Sequence, residues 1–185
     1  LYSFSSRAVC EAVTLRCPYV RTLDVTRQAP GTVLFRIDED TAVFYAELYG
    51  ETRALSGTLR VLDVIEPDEA KKSHLIRLRL PPIAEAIDGR VLVLSDERYA
   101  RQIREIAGEV SASELRDRIT TIDLRRPYSL RMVCDHQYQL NFGTADDVGV
   151  KLRIAQAVLA DSVFQTSIKA EIDLTTTSST SVVLD

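Results

Sequence analysis

The stretch that decides the fold is YQLNFGTADDVGVKLRIAQAVL, residues 138–159. A strand-like run ends at Gly143, and a pattern of apolar residues typical of a helix follows Gly149 and Lys151. Strand, glycine loop, lysine and helix are also the parts of a nucleotide phosphate loop. The first question is therefore whether this loop binds phosphate.

The spacing of the loop argues against a phosphate site. A phosphate loop has the form G-x-x-x-x-G-K-[ST], whereas GTADDVGVK has one residue too many between its glycines and a valine before the lysine. Leu152 stands where the magnesium-binding hydroxyl is needed, and Asp146 and Asp147 stand where the phosphates would lie. Carboxylates at a helix N-terminus complement its dipole by about 0.3–1 kcal/mol each. We predict a helix from Asp146 to about Leu159 that carries its own anions, and no nucleotide.

The other chemistry-bearing residues do not form an active-site pattern. Cys134-Asp135-His136 reads as a turn between two strands, because adjacent strand side chains point to opposite faces. Three cysteines and two histidines lack metal-ligand spacing. We predict no catalytic residue, no metal site and no cofactor. An unrecognised hydrolase using the Asp146 and Asp147 carboxylates stays as a rival hypothesis, which a deep cleft around them would support.

Composition limits the classes of partner. The chain has 185 residues and a formal net charge of −4, which argues against a general nucleic-acid binder. The densest basic run, LRRPY at 124–128, is interpreted as a solvated strand end. No stretch is long and apolar enough to span a bilayer. Because the chain opens at Leu1, inside what reads as a structured segment, we expect a fragment whose anchor would lie upstream.

The pattern along the chain predicts an α+β fold in two units. Residues 1–49 read as a helix stopped by Pro18, then a hairpin (VRTLDVTRQ and VLFRID) and a further apolar strand. Residues 50–185 read as a mixed, mostly antiparallel sheet with helices on one face. Its predicted helices begin at Ser95, as N-cap, and again at Ser111. ITTIDLR, YSLRMVC and QYQLNFG are ordered like an antiparallel meander, and SIKAEIDL and SVVLD close the chain.

Five segments together resemble a known family. CPYVRTLDVTRQAPGTVLFRIDED, residues 17–40, resembles the second half of a POTRA domain. ALSGTLRVL, LRLPPI, LNFGTADDVGVKL and AEIDL are similar, in that order, to the second domain of the FtsQ/DivIB cell-division proteins. The first POTRA strand and the membrane anchor of that family are absent from the sequence, and the polar run TTTSSTSVVLD departs from its closing strand.

The resemblance implies a non-enzyme. It implies a single-pass cell-membrane protein whose bulk lies on the extracytoplasmic side, acting as a scaffold of the bacterial division complex. The POTRA-like unit would help recruitment, and the β domain would bind the FtsB/DivIC and FtsL partners through its closing strand and the adjoining segment.

The closing strand supplies the candidate contact residues. In KAEIDL, Ala170, Ile172 and Leu174 alternate with polar neighbours. At a sheet edge, the unpaired backbone of this strand would accept a partner strand. The alternative is an ordinary strand covered by SVVLD, which would itself then be the edge that receives the partner. The predicted partner-binding residues are Glu171, Leu174, Thr175, Thr176, Thr177 and Ser178.

One further rival belongs to the same binding class. A POTRA-containing protein of outer-membrane assembly or secretion would bind client strands by the same strand addition. Further POTRA repeats or a barrel elsewhere in the protein would favour that rival.

Overall fold

The structure, a computed structural model, describes residues 6–160, 169–177 and 181–184. The described residues form an α+β fold. Its helices are α1 (Ser6–Arg16), α2 (Pro67–Lys72), α3 (Glu97–Ala112), α4 (Val148–Leu159) and a 3-10 turn at Arg116–Arg118. Its strands are β1 (Val20–Gln28), β2 (Thr32–Glu39), β3 (Ala42–Leu48), β4 (Glu51–Ser56), β5 (Val61–Val64), β6 (Ile76–Arg79), β7 (Ile83–Glu85), β8 (Val93–Leu94), β9 (Ile119–Asp123), β10 (Leu130–Cys134), β11 (Tyr138–Gly143), β12 (Ala170–Asp173) and β13 (Ser181–Leu184).

The predicted hairpin near the start of the chain is confirmed. β1 and β2 pair antiparallel in a sheet of their own, with Leu23 opposite Ile37 and Val25 opposite Phe35. Helix α1 packs against β1, and Leu23 is buried. Every residue of β2 is exposed, and its outer edge has no strand neighbour in the described part of the chain.

The remaining large sheet has nine strands in the order β13-β12-β11-β10-β9-β6-β3-β4-β5. The pairs β3/β6, β6/β9 and β11/β12 are parallel, and the other neighbours are antiparallel. The meander predicted from ITTIDLR, YSLRMVC and QYQLNFG is β9-β10-β11. The sheet is therefore mixed and mostly antiparallel.

The apolar strand at Ala42–Leu48 corrects the predicted division of the chain. We placed it with residues 1–49, but β3 pairs with β4 and β6 inside the large sheet. Its burial explains the difference, because Phe44, Ala46 and Leu48 all lie in the large core. The sheet pairing therefore separates β2 from β3, near Asp40, instead of at residue 49.

One face of the large sheet is apolar and the other polar. In β11, Tyr138, Leu140 and Phe142 are buried, and the alternate residues are half-buried. Helices α3 and α4 contact each other, and their apolar residues join the same core cluster. Alternation with period two therefore gives one core under the helices and leaves a polar face open.

Two predicted helix starts are wrong in detail. Asp96, and not Ser95, caps α3, because its carboxylate accepts from the backbone N–H groups of Arg98 and Tyr99. Ser111 starts no second helix. It lies in the last turn of α3 and donates to the carbonyl of Ala107 at 2.7 Å. The chain then makes only the 3-10 turn.

Candidate functional site: the C-terminal edge of the sheet

The closing strands occupy one edge of the large sheet. β12 lies between β11, to which it is parallel, and β13, to which it is antiparallel. Glu171 is opposite Val183, and Ile172 is opposite Val182. β12 is therefore an inner strand. The rim is formed by β13, whose outer side faces no other strand among the residues described.

The β13 rim is apolar and accessible. Val182 is 39% exposed and Val183 is 62% exposed. Within Ser181–Leu184 there is no proline and no charged residue, which are devices that natural edge strands use to prevent pairing. Apart from its shortness, this edge lacks those defences and can accept another strand through its main chain.

The predicted contact residues have different surroundings. Glu171 is exposed on β12, beside the rim. Thr175, Thr176 and Thr177 are exposed in the segment that follows β12, and the backbone N–H of Thr175 donates to Asp173 Oδ1 at 2.9 Å. That hydrogen bond is the main reason that the pKa of Asp173 is lowered. Ser178 lies outside the described residues.

Leu174 cannot act as a side-chain contact in this structure. Its exposed fraction is 0%, and its backbone N–H donates to the carbonyl of Asn141 at 2.8 Å. It belongs to the same apolar face as Ala170 and Ile172, which are also buried. The choice of Leu174 came from the family's contact region, and the packing of this side chain corrects it.

Two accessible residues were missing from the predicted set. Val182 and Val183 carry the exposed apolar surface of the rim. The sequence signal was present, since SVVLD was recognised as a candidate edge strand. Their exposure depends on the pairing of β13 with the side of β12 that β11 leaves free, and that pairing is decided by the tertiary structure.

The lysine of the glycine loop at the start of α4 is not available to a phosphate. Lys151 is 3% exposed, and its Nζ donates to the carbonyl oxygens of Phe142 at 2.8 Å and Thr144 at 3.2 Å. Burial lowers the pKa of Lys151, and the nearby Asp146 and Asp147 partly oppose that shift. The lysine that would neutralise a phosphate is thus occupied with the protein's own backbone.

The two aspartates of this loop lie on the open surface. Both are exposed. Asp146 accepts from the hydroxyl of Thr144 at 2.8 Å, and Asp147 stands before the first turn of α4 with φ 55°. α4 begins at Val148, and Asp147 makes no side-chain capping hydrogen bond, so the predicted capping is electrostatic only. Asp147 lines an open recess of about 390 Å³ together with Glu105 and Glu109, but Asp146 does not, so this recess does not enclose the Asp146 and Asp147 pair that the hydrolase hypothesis uses.

The Cys-Asp-His segment forms the predicted turn. Cys134 ends β10 and Tyr138 begins β11. Burial raises the pKa of the Cys134 thiol to about 12, so it stays protonated near neutral pH. Cys134 and the exposed Cys17 are both free thiols. In the described part of the chain, no group of three or more His, Cys, Asp or Glu residues could hold a metal ion.

Two comparisons with known proteins give no assignment. No protein-family description matches this chain. No curated protein matches it either. A search of the described helices finds none that is long and apolar enough to cross a membrane.

Proposed function

We propose that this chain is a non-enzymatic scaffold of the bacterial division complex, of the FtsQ/DivIB kind. It would lie on the extracytoplasmic side of a membrane-anchored protein and bind FtsB/DivIC and FtsL partners. The partner adds a strand to the free side of β13. The observation that carries the proposal is the accessible, apolar and uncharged rim of a large sheet at the end of the chain.

The surroundings of the rim support recognition as well as attachment. Main-chain hydrogen bonds would provide affinity, and side chains on each face would provide specificity. On the polar face, Val183 and its neighbour Glu171 present one apolar and one acidic group. A partner strand with an apolar residue and a basic residue at adjoining positions of that face would be complementary.

The POTRA resemblance is supported by the bare strand β2. That resemblance implies one strand more than the two in the first sheet. Val33, Phe35 and Ile37 share a face with buried Leu23 and are 37%, 51% and 49% exposed. A further strand beside β2 would pair with the free edge of β2. A helix packed on the completed sheet would then cover these three side chains.

Strand addition can be tested with two neighbouring prolines. Successive N–H groups of an edge strand point alternately toward the sheet and away from it. One of the variants Val182→Pro and Val183→Pro therefore removes an outward donor and leaves the pairing with β12 intact. We expect that variant to abolish binding of the FtsB/DivIC and FtsL extracytoplasmic segments while the β12 amides keep their hydrogen-exchange protection.

The matched control lies on the opposite rim of the same sheet. Val64 in β5 is also an exposed valine on an edge strand, and Val64→Pro should leave binding unchanged. Titration calorimetry should detect association of the unmodified chain at tens of micromolar or tighter. A folded chain that shows no association, or a folded outward-proline variant that binds normally, would overturn the proposal.

A second candidate function rests on β2. A POTRA-containing protein of outer-membrane assembly or secretion would bind client strands, and the apolar free edge of β2 suits such a client. Phe35→Glu distinguishes the two. If Phe35→Glu loses the binding of a partner strand while the variants Val182→Pro and Val183→Pro bind it normally, the client-binding protein is favoured over the division scaffold.

A further inference from the structure

A recess on the polar face of the sheet lies away from the β13 rim. It has a volume of about 420 Å³ and is lined by Asp123, Arg125, Arg126, Ser129 and Arg131. Arg79 reaches its border, with Nη1 3.8 Å from Asp123 Oδ2. Four arginines surround one aspartate in a chain whose formal net charge is −4. The recess is therefore a basic spot on an acidic protein.

The loop that carries the recess is held firmly. It is the turn between β9 and β10, in which the N–H of Ser129 donates to the carbonyl of Arg126 at 3.2 Å and Pro127 occupies the second position. Leu124 and Leu130, on either side, are each 1% exposed. The hydroxyl of Tyr99 also donates to the carbonyl of Leu124 at 2.7 Å. The arginines thus project from a preorganised platform.

The single carboxylate neutralises only one of these arginines. Asp123 accepts from Arg125 through the backbone N–H at 3.2 Å, Nε at 2.9 Å and Nη2 at 2.5 Å. These hydrogen bonds are the main cause of the lowered pKa of Asp123. The side chains of Arg126 and Arg131 are exposed, and neither has a hydrogen-bond or ion-pair partner among the described residues. Their guanidinium groups, with the Ser129 hydroxyl, suit a phosphate oxyanion.

The residue at the tip of the same turn indicates which kind of partner carries the phosphate. Tyr128 is 82% exposed, the highest value among the large apolar or aromatic side chains described. A tyrosine beside arginines suits a membrane surface, where the ring enters the interface and the arginines meet phosphates. The neighbouring face carries the polar residues Arg77, Thr121, Gln139 and Asn141. Its apolar members, Val133 and Tyr45, are half-buried, so this face lacks the large exposed apolar centre typical of a specific protein interface.

We propose that the Arg126–Arg131 turn binds the phosphate groups of anionic lipid headgroups, with Tyr128 inserted in the interface. The site is independent of the β13 rim, so partner binding and membrane binding can be lost separately. The electrostatic attraction between a single loop and a lipid surface is weak. A membrane anchor elsewhere in a protein would raise the effective concentration of the loop at that surface.

Vesicle sedimentation tests the proposal directly. The 185-residue chain should bind phosphatidylcholine vesicles that contain 40% phosphatidylglycerol more strongly than phosphatidylcholine alone, at low ionic strength. Arg126→Gln with Arg131→Gln should weaken binding to the anionic vesicles roughly 30-fold. Tyr128→Ser should weaken it less. The control, Arg101→Gln with Arg104→Gln on exposed positions of α3, changes the net charge equally and should keep most of the binding.

Three outcomes would overturn the proposal. The first is equal binding to neutral and anionic vesicles, and the second is an equal loss in the α3 control. The third is chemical-shift changes at Arg126 and Arg131 with inorganic phosphate or an acidic peptide but no vesicle binding, which would assign the recess to a free anion or a protein. Unchanged thermal unfolding of each variant verifies that the loop remains folded.

Discussion

The ε-ammonium of Lys151 donates a 2.8 Å hydrogen bond to the carbonyl oxygen of Phe142, the residue before the loop glycine. It also reaches the carbonyl of Thr144. One lysine in the first turns of α4 therefore closes the strand-to-helix loop from inside. This internal use of the lysine explains how a loop with the parts of a phosphate site can serve structure alone.

Replacing this lysine should destabilise the fold. Lys151→Met keeps much of the apolar stem but removes the donor to the buried carbonyl of Phe142 and to the part-buried carbonyl of Thr144, so we expect a loss of about 1–3 kcal/mol in the free energy of unfolding. Arg153→Met, at an exposed position of the same helix, should change it by less than about 0.5 kcal/mol. Urea unfolding measures both. An equal, small effect in the two variants would show that the Lys151 hydrogen bonds contribute little.

The same geometry predicts no nucleotide binding. Millimolar ATP with magnesium should leave the thermal midpoint of the chain unchanged, because Lys151 is already bonded and the exposed Asp146 and Asp147 repel phosphate. Differential scanning fluorimetry is sufficient for this measurement. A midpoint that rises with ATP concentration, and that no longer does so in Lys151→Met, would contradict this account of the loop.

The buried thiol predicts a dependence of stability on alkaline pH. Burial raises the pKa of Cys134 from 9.0 to about 12 in the folded state, so the folded state keeps a proton that the unfolded state loses. The associated stability is complete below pH 9 and is lost as the pH rises toward 12, by up to about 1.4 kcal/mol per pH unit. In Cys134→Ala, the part of the decrease in stability with rising pH that comes from this thiol should disappear.

A thiol reagent gives an independent reading of the same burial. At pH 8 in the native state, the exposed Cys17 should react and Cys134 should not, as located by peptide mapping. Rapid native labelling of Cys134, or an unchanged alkaline slope in Cys134→Ala, would be inconsistent with a buried, protonated thiol. Burial also raises the pKa of Tyr99 to about 12. Tyr99 is present in both the unmodified chain and Cys134→Ala, so it contributes equally to the pH dependence of their stability.

A buried carboxylate joins the β1–β2 unit to the large sheet. Asp40 is 8% exposed, with Arg60 Nε 3.2 Å from Oδ2 and Arg21 Nη1 3.8 Å from Oδ1. The Arg60 N–H is not aligned for a hydrogen bond to Oδ2, so the attraction is electrostatic. Arg60 also donates to the carbonyl of Gly89.

Removing the better-placed arginine should therefore be costly. Arg60→Met leaves the buried Asp40 carboxylate with only the longer contact to the half-exposed Arg21, and we expect a loss of about 1–3 kcal/mol in urea unfolding. Arg21→Met, whose side chain is 50% exposed, should cost less than about 0.5 kcal/mol. The double variant Asp40→Asn with Arg60→Met should lose less than the two single losses added together. Additive losses would mean that the two charges are not coupled.

Local pattern was sufficient for the elements whose neighbours are close in sequence. β9, β10 and β11 follow one another through short turns, so alternation and turn residues predicted both the strands and their pairing. β3 shows where this reasoning fails. Its parallel partner β6 lies beyond β4, β5 and α2, and no local pattern reports that pairing.

The candidate site shows the same limit. Alternation in AEIDL placed Leu174 on the face of Ala170 and Ile172, which the structure confirms as buried. Its selection as a contact came from the family resemblance and went against that alternation. The accessible Val183 depends on β13 folding back onto β12, a pairing across the segment between Asp173 and Ser181 that only tertiary structure decides.

The close approach of Glu109 to Gly149 predicts that the effect of a Gly149→Ala substitution depends on Glu109. A Cβ added to Gly149 would lie 2.4 Å from the Glu109 carboxylate, which reaches from α3 to the start of α4. Alanine in place of glycine normally stabilises a helix by about 0.5–1 kcal/mol. Gly149→Ala alone should therefore stabilise α4 by less than this, since the exposed Glu109 carboxylate has to move. In a Glu109→Ala background the same change should give the full stabilisation of about 0.5–1 kcal/mol. Gly108→Ala, where an added Cβ meets nothing within 4 Å, is the control and should stabilise α3 in both backgrounds. If Gly149→Ala stabilises the protein equally with and without Glu109, the two helices do not meet through this pair.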